Sequence, residues 1–415
     1  MSLLLKGCRF LVTQDSERRI LERVDVLVEG SSVSRIGKGL KGEETIDCSR
    51  SLVMPGLVNT HTHISMAKLR GVADDVKLDE FLEKTYAIDS KLKEKDVYEG
   101  ALLGCLESIK FGTTCFNDLY YWEDEIANAA VELGLRANLA WAILDKDRTT
   151  QKGDPVGNCE AFIKRWKGKS ELVKPEVGVQ GVYVASADTY ARAKELSEKY
   201  DVKTHTHLSE TRKEVYDNVK REGKRPVEWL DELGFLNERL TAAHCVWLTK
   251  REMDILAKKG VSPSHNPTSN LKLASGGLCP VPELLERGAN VTLGTDSCAS
   301  NNNLDLFKEM KLAALLHKSA KWDATLVPAQ KALDMATING AKALGINTGS
   351  IEEGKLADII IVNLDKPNLA PMNDIVSNIV YSMGGSDVDT SIINGRVAML
   401  GHQVENEFKI IDKLT

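Results

Sequence analysis

The chain has 415 residues, 42% of them hydrophobic and 27% charged, and a formal net charge of −6. This is the composition of a globular protein, not of a disordered or fibrous one. With no cationic surplus and no basic run beyond a short patch at 222–225, it is poorly suited to nucleic acid or an acidic membrane, and no run of eighteen apolar residues offers a membrane-spanning helix.

From the N-terminus, residues 3–54 read as short strands: LLLKGCRFLV, RVDVLVEGSSVSRIG with a turn at Glu29-Gly30, and SLVMPG. The first run alternates like a strand and lacks the cationic start and small-residue cleavage site of a leader, so a cytoplasmic location is expected. Eight apolar runs follow: VMPGLVNTHTHI, GTTCFND, RANLAWAI, EVGVQGVYV, DVKTHTHL, LTAAHCV, GVSPSHNP and ANVTLGTDS. Amphipathic segments separate most of them, among them 95–111, 125–134, 187–200 and 226–234. Eight alternations predict an α/β fold, a (β/α)8 barrel over 55–352. Toward the other end, 349–365 and 389–400 again read as strands, the latter with an Asn394-Gly395 hairpin signal. Residues 1–54 and 353–415 are therefore expected to form one small β-sandwich domain from both chain ends. The eight cysteines are scattered without a CxxC pair, as in reduced, buried thiols.

The histidines gather near the C-terminal ends of the predicted barrel strands, where barrel active sites are built. His61 and His63, at i and i+2 of a strand, point to one side and can converge on a metal. His205 and His207 repeat the pattern in the fifth predicted strand, and His205 is read as the member that only packs. His244 ends the sixth strand and Asp296 the eighth. A carboxylate at the tip of an apolar strand is costly to bury without a metal or a cation.

These residues, with PGLVNTHTH (55–63), RGVADD (70–75), HLSET (207–211), AAHCVWL (242–248), SHNPTSNLKLASG (264–276) and LGTDSCASNNNLDLFKEM (293–310), resemble the amidohydrolase superfamily. The resemblance is closest to its mononuclear aminohydrolase branch, which holds methylthioadenosine/S-adenosylhomocysteine deaminases and s-triazine chlorohydrolases. It implies His61, His63, His207 and Asp296 as ligands of one divalent metal that activates water. Zn2+ is the default, with Fe2+, Ni2+ or Co2+ as alternatives. Glu210 and His244 would flank water and substrate: Glu210 carries a proton to the ring nitrogen and the leaving amine, Asp296 accepts the water's proton, and His244 stabilises charge on oxygen. Binuclear relatives carry a modified lysine at the end of the fourth strand; EVGVQGVYVAS has none, so one metal is expected.

The implied activity is hydrolytic deamination of an aminated heterocycle, first an adenosine-type nucleoside. Pterin, guanine-like or triazine rings, and dechlorination of a triazine, are the alternatives; a catalytically silent barrel would require damaged ligands, and they are intact. The partner is then a small heterocyclic substrate, with no nucleic acid or membrane, in a homo-oligomer. Two departures from the family bear on the substrate. Gln180, Gly181, Val182 and Tyr183 stand where family members carry a Gly-Pro-His stretch, and Trp141 stands where those accepting S-adenosylhomocysteine tend to carry an arginine, which disfavours a free carboxylate. Asp89 is the counterpart of a ribose-binding glutamate, and Trp141 and Trp247 are candidates to stack on the heterocycle.

Overall fold

All eight apolar runs become parallel strands of one sheet, bonded in chain order: β1 (Leu57–Thr62), β2 (Thr113–Tyr120), β3 (Arg136–Ile143), β4 (Val173–Val179), β5 (Thr204–Leu208), β6 (Leu240–His244), β7 (Ser262–His265) and β8 (Thr292–Leu293). Helices cover the outside, so β2 and β3 are buried at every position and lack the alternation of a one-sided sheet. The sheet curls into a barrel where the eighth strand meets the first. There the Asp296 N–H donates to the His61 carbonyl at 3.0 Å and Thr60 Oγ1 donates to the Leu293 carbonyl at 2.9 Å. This computed structural model describes residues 2–413, apart from the side chains of residues 78, 79 and 82.

Four helices matter for the site: α1 (Leu78–Asp89), α2 (Glu94–Lys110), α3 (Pro155–Trp166) and α4 (Arg212–Glu222). α2 buries Val97, Ala101, Cys105, Ser108 and Ile109, a stripe at helical spacing. Gly112, at φ +79°, follows its C-terminal end. Gly100 and Gly104 bring it onto the tight turn Ile64–Leu69 that follows His63; a Cβ at either would lie 2.1 Å from the Ser65 carbonyl oxygen or 2.4 Å from that of Ile64.

Two further sheets form, one from the N-terminal end alone and one from both chain ends. The four-stranded one runs Ser32–Gly37, Val24–Glu29, Ser2–Cys8, Glu44–Asp47, and the six-stranded one runs Arg396–Met399, Val388–Ile393, Ile359–Asn363, Ser51–Pro55, Phe10–Val12, Ile20–Leu21. Leu5, Val26, Val28 and Val33 of the first pack with Val53, Ile359, Ile361 and Ile392 of the second. Arg136, at the start of β3, reaches across to Asp358 in a buried ion pair of 2.9 Å.

Two strand expectations change. Of 349–365 only Ile359–Asn363 is a strand; the acidic Glu352-Glu353 turn and Gly354 at φ +88° keep the preceding segment irregular. The fourth barrel strand stops at Val179 instead of running on to 184, because the Gln180 carbonyl turns toward His207.

Candidate active site

Four side chains from three places in the barrel converge at its C-terminal end. His61 and His63 project from the end of β1 with their Nε2 atoms 3.5 and 3.4 Å from Asp296 Oδ1, and His207 Nε2, from β5, lies 3.3 Å from His63 Nε2. Donors held at about 2.1 Å around one tetrahedral ion stand about 3.4 Å apart, so this spacing fits a single divalent metal. Among the described residues His61 Nε2 is also buried without a hydrogen-bond partner, a cost that a metal ion would remove.

The far ring nitrogens set the tautomers. His63 Nδ1 donates to the Leu119 carbonyl at 2.7 Å and His207 Nδ1 to the Gln180 carbonyl at 2.6 Å. With the proton on Nδ1, the Nε2 lone pair faces the centre, the arrangement a metal-binding imidazole needs. His61 Nδ1 lies 2.9 Å from His205 Nε2 and donates to it by the same logic. His244 is reversed. Its Nδ1 faces the side-chain amide nitrogens of Asn270 and Asn266 at 3.0 and 3.3 Å; the proton then sits on Nε2, which points to Glu210 Oε2 at 3.8 Å. Three histidines thus present lone pairs, and the fourth presents a donor.

Burial alone would raise the Asp296 carboxyl, but the surrounding His61, His244 and His63 outweigh it and hold the group well below the usual carboxylate range. Ser269 Oγ and Ser300 Oγ donate to Oδ2 at 2.5 and 3.0 Å, and the Ser297 N–H to Oδ1 at 2.8 Å. Burial pushes His61 down to about 3 and also lowers His63, His207 and His244, so all four rings are neutral and available. Glu210 moves the other way: burial first, then the Asp296 charge, raises it to about 8. Next to the metal-type cluster stands a carboxyl whose surroundings favour its protonated form, as a general acid requires.

A model of the amidohydrolase family matches residues 52–398. The chain belongs to this family. It is similar to a 5'-deoxyadenosine deaminase of Methanothrix thermoacetophila, 46% identical over 397 residues that cover 95% of this chain and 94% of that one. A 5-methylthioadenosine/S-adenosylhomocysteine deaminase of Thermococcus sibiricus is 44% identical over 407 residues, covering 96% and 94%. Among solved structures, a zinc-bound adenosine deaminase from Xanthomonas campestris superimposes with a TM-score of 0.96 at 32% identity, covering 99% of this chain and 96% of that one.

Not every expected contact of this amidohydrolase faces the cluster. Trp141 does not: its indole N–H donates to Gln151 Oε1 at 2.8 Å and its ring lies 5.8 Å from that of Phe162 on α3, within the helix layer. Ala140 and Ala142 point the other way and pack with Leu119 and Leu144. Trp247 donates its indole N–H to the Ser275 carbonyl at 2.8 Å. Asp89, at the end of α1, accepts hydrogen bonds from the Tyr120 and Tyr121 hydroxyls, and the Tyr120 ring is 6.1 Å from His63. Burial raises its carboxyl; the Tyr121 hydrogen bond and nearby His63 oppose that. His205 does more than pack, because it holds the far side of His61. Sequence reasoning assigned no role to Ser269 and Ser300 at Asp296, Asn266 and Asn270 at His244, or Tyr120 and Tyr121 at Asp89. The i, i+4 spacing of Asn266 and Asn270 around Pro267–Lys272 was the one signal available.

Proposed function

We propose that this amidohydrolase deaminates adenosine-type nucleosides, exchanging the ring amine for oxygen and releasing ammonia, with His61, His63, His207 and Asp296 holding one Zn2+. The buried Glu210 carboxyl beside the histidine cluster, 3.8 Å from His244 Nε2, carries the reading. The bound ion would supply a water acidified enough to act as nucleophile at neutral pH. Asp296, ionised and steadied by Ser269, Ser300 and the Ser297 N–H, can take the proton that the water gives up. Glu210 can deliver its proton to the ring nitrogen and, once recharged with the proton that Asp296 took from the water, to the amine, which leaves poorly unless protonated. His244, with its proton on Nε2, can donate to the oxygen on which charge develops. Asp89, its carboxylate oriented by Tyr120 and Tyr121, would meet the sugar hydroxyls.

The relatives act, by their names, on 5'-deoxyadenosine and on methylthioadenosine or S-adenosylhomocysteine, and this supports the substrate class. Trp141, standing where relatives that accept S-adenosylhomocysteine tend to carry an arginine, favours an uncharged 5' group. Residues 1–54 with 353–415 are taken as the β-sandwich unit and 55–352 as the barrel.

The deciding experiment measures ammonia release by the zinc-loaded enzyme from adenosine, methylthioadenosine, 5'-deoxyadenosine, S-adenosylhomocysteine, guanine, pterins and triazines. Turnover of the uncharged nucleosides, with S-adenosylhomocysteine slow, is the expected result. Turnover of only a pterin, guanine or triazine refutes the substrate class, and ammonia from none refutes deamination.

A further inference from the structure

Glu210 is aimed by its backbone. Its carboxyl stands 3.8 Å from His244 Nε2, too far for a hydrogen bond, so the turn that carries it decides where it points. That turn is unusual. After β5 ends at Leu208, Ser209 takes φ +51°, a left-handed conformation that a residue with a Cβ rarely adopts. The Ser209 carbonyl accepts two N–H groups, from Val246 at 3.1 Å and Trp247 at 2.9 Å, beyond the end of β6. The two amides of the turn, Ser209 N–H and Glu210 N–H, both donate to one buried carboxylate, to Glu214 Oε1 and Oε2 at 2.8 Å each.

We propose that Glu214 is a positioning residue for the deamination reaction: its carboxylate grips the successive N–H groups of Ser209 and Glu210 and so holds the Glu210 side chain on the reacting ring. Two adjacent backbone N–H groups make a concave anion site that a carboxylate fills with both oxygens. A glutamine has one acceptor oxygen and would turn its NH2 toward the second N–H. Glu214 is itself anchored, in the first turn of α4, where its N–H donates to Thr211 Oγ1 at 3.1 Å. A carboxylate buried beside the Glu210 carboxyl is an expensive way to satisfy two amides. The arrangement is understandable if the exact direction of Glu210 is what it secures. The inference rests on Glu210 acting as the proton donor.

Glu214→Gln and Glu214→Ala in the full, zinc-loaded chain test it. The readouts are kcat and KM on a nucleoside that the wild type turns over, bound zinc, and hydrogen–deuterium exchange of a peptide covering Ser209 and Glu210. The expected result is kcat per bound zinc lower by about 10- to 100-fold with KM within about threefold, since the proton donor is displaced while substrate contacts remain. Amide exchange at 209–210 should become faster in both variants. If Glu214→Ala does not fold, the isosteric Glu214→Gln decides alone. Glu214→Gln turnover per bound zinc within about twofold of wild type overturns the proposal, including where activity is lost only in proportion to zinc or folded protein. Exchange requires no substrate. A wild type inert on every nucleoside therefore refutes the deaminase reading, whereas unchanged amide exchange in the variants refutes the clamp itself.

Discussion

Glu210→Gln keeps the size of the side chain and its capacity to donate a hydrogen bond, and removes only its ability to give up a proton. Positioned general acids contribute about 10^2- to 10^4-fold, and that is the expected loss in kcat. The pH profile carries the sharper signature. Burial and the Asp296 charge raise Glu210 to about 8, so about nine-tenths of it is protonated at pH 7 and about one-tenth at pH 9. The acid form is the working one and is lost as pH rises, so kcat/KM should fall about tenfold across that interval. A dication at the histidine centre and the 18% of the side chain still exposed both pull the value down, which places the limb at or below pH 8. The assay is the initial rate of ammonia release from a nucleoside between pH 6 and 10, for both proteins, at matched zinc content. A glutamine variant within tenfold of wild type, or one that keeps the same alkaline limb, refutes Glu210 as the acid.

His205→Ala removes the hydrogen-bond partner of His61 Nδ1 and should weaken zinc binding by about 10- to 100-fold, read by competition with a chromophoric chelator; equal affinity would reduce His205 to packing. Gly104→Ala drives a Cβ to 2.4 Å from the Ile64 carbonyl oxygen and should cost about 1–3 kcal/mol of stability, measured by urea unfolding. Glu176, on β4 with Oε2 unpartnered among the described residues, is raised by burial to about 7 from 4.5. Its neutral form stabilises the fold fully below the unfolded value, and that contribution, roughly 3 kcal/mol, is lost as pH rises through about 7. Glu176→Gln should therefore be more stable than wild type at pH 8 and nearly equal at pH 4.5, with the zinc-free proteins compared; parallel stability curves would contradict it.

The barrel was legible because strands buried on both faces leave continuous apolar runs, and eight of them occur in order. The HxH pairs were legible because a period of two puts i and i+2 on one side. The same period could have turned Trp141 away from the mouth: in RANLAWAI the small residues Ala140 and Ala142 alternate with Leu139, Trp141 and Ile143, and the bulky set faces the helices. The partners of Asp296 and His244 were not legible, because Ser269, Asn266 and Asn270 reach them only once the ends of β6, β7 and β8 are side by side.

Backbone strain explains what remained hidden. Ser209, His244, Cys245 and Asp296 all have positive φ, at +51°, +74°, +50° and +60°, and none is a glycine that would have announced it. A left-handed residue with a Cβ costs of order 1–3 kcal/mol and persists only where its surroundings over-determine it. Those surroundings are visible: Glu214, Val246 and Trp247 bind the backbone at Ser209, the Leu208 carbonyl accepts from Cys245 N–H at 3.0 Å, and the His61 carbonyl accepts from Asp296 N–H. Apart from the grip of Glu214, these bonds tie one strand end to its neighbour. At His244 and Asp296 a glycine would relieve the strain and delete the functional group with it. The strained positions thus lie where the barrel must bend a strand end inward and still present a side chain, and a reading that reserves left-handed backbone for glycine passes over them.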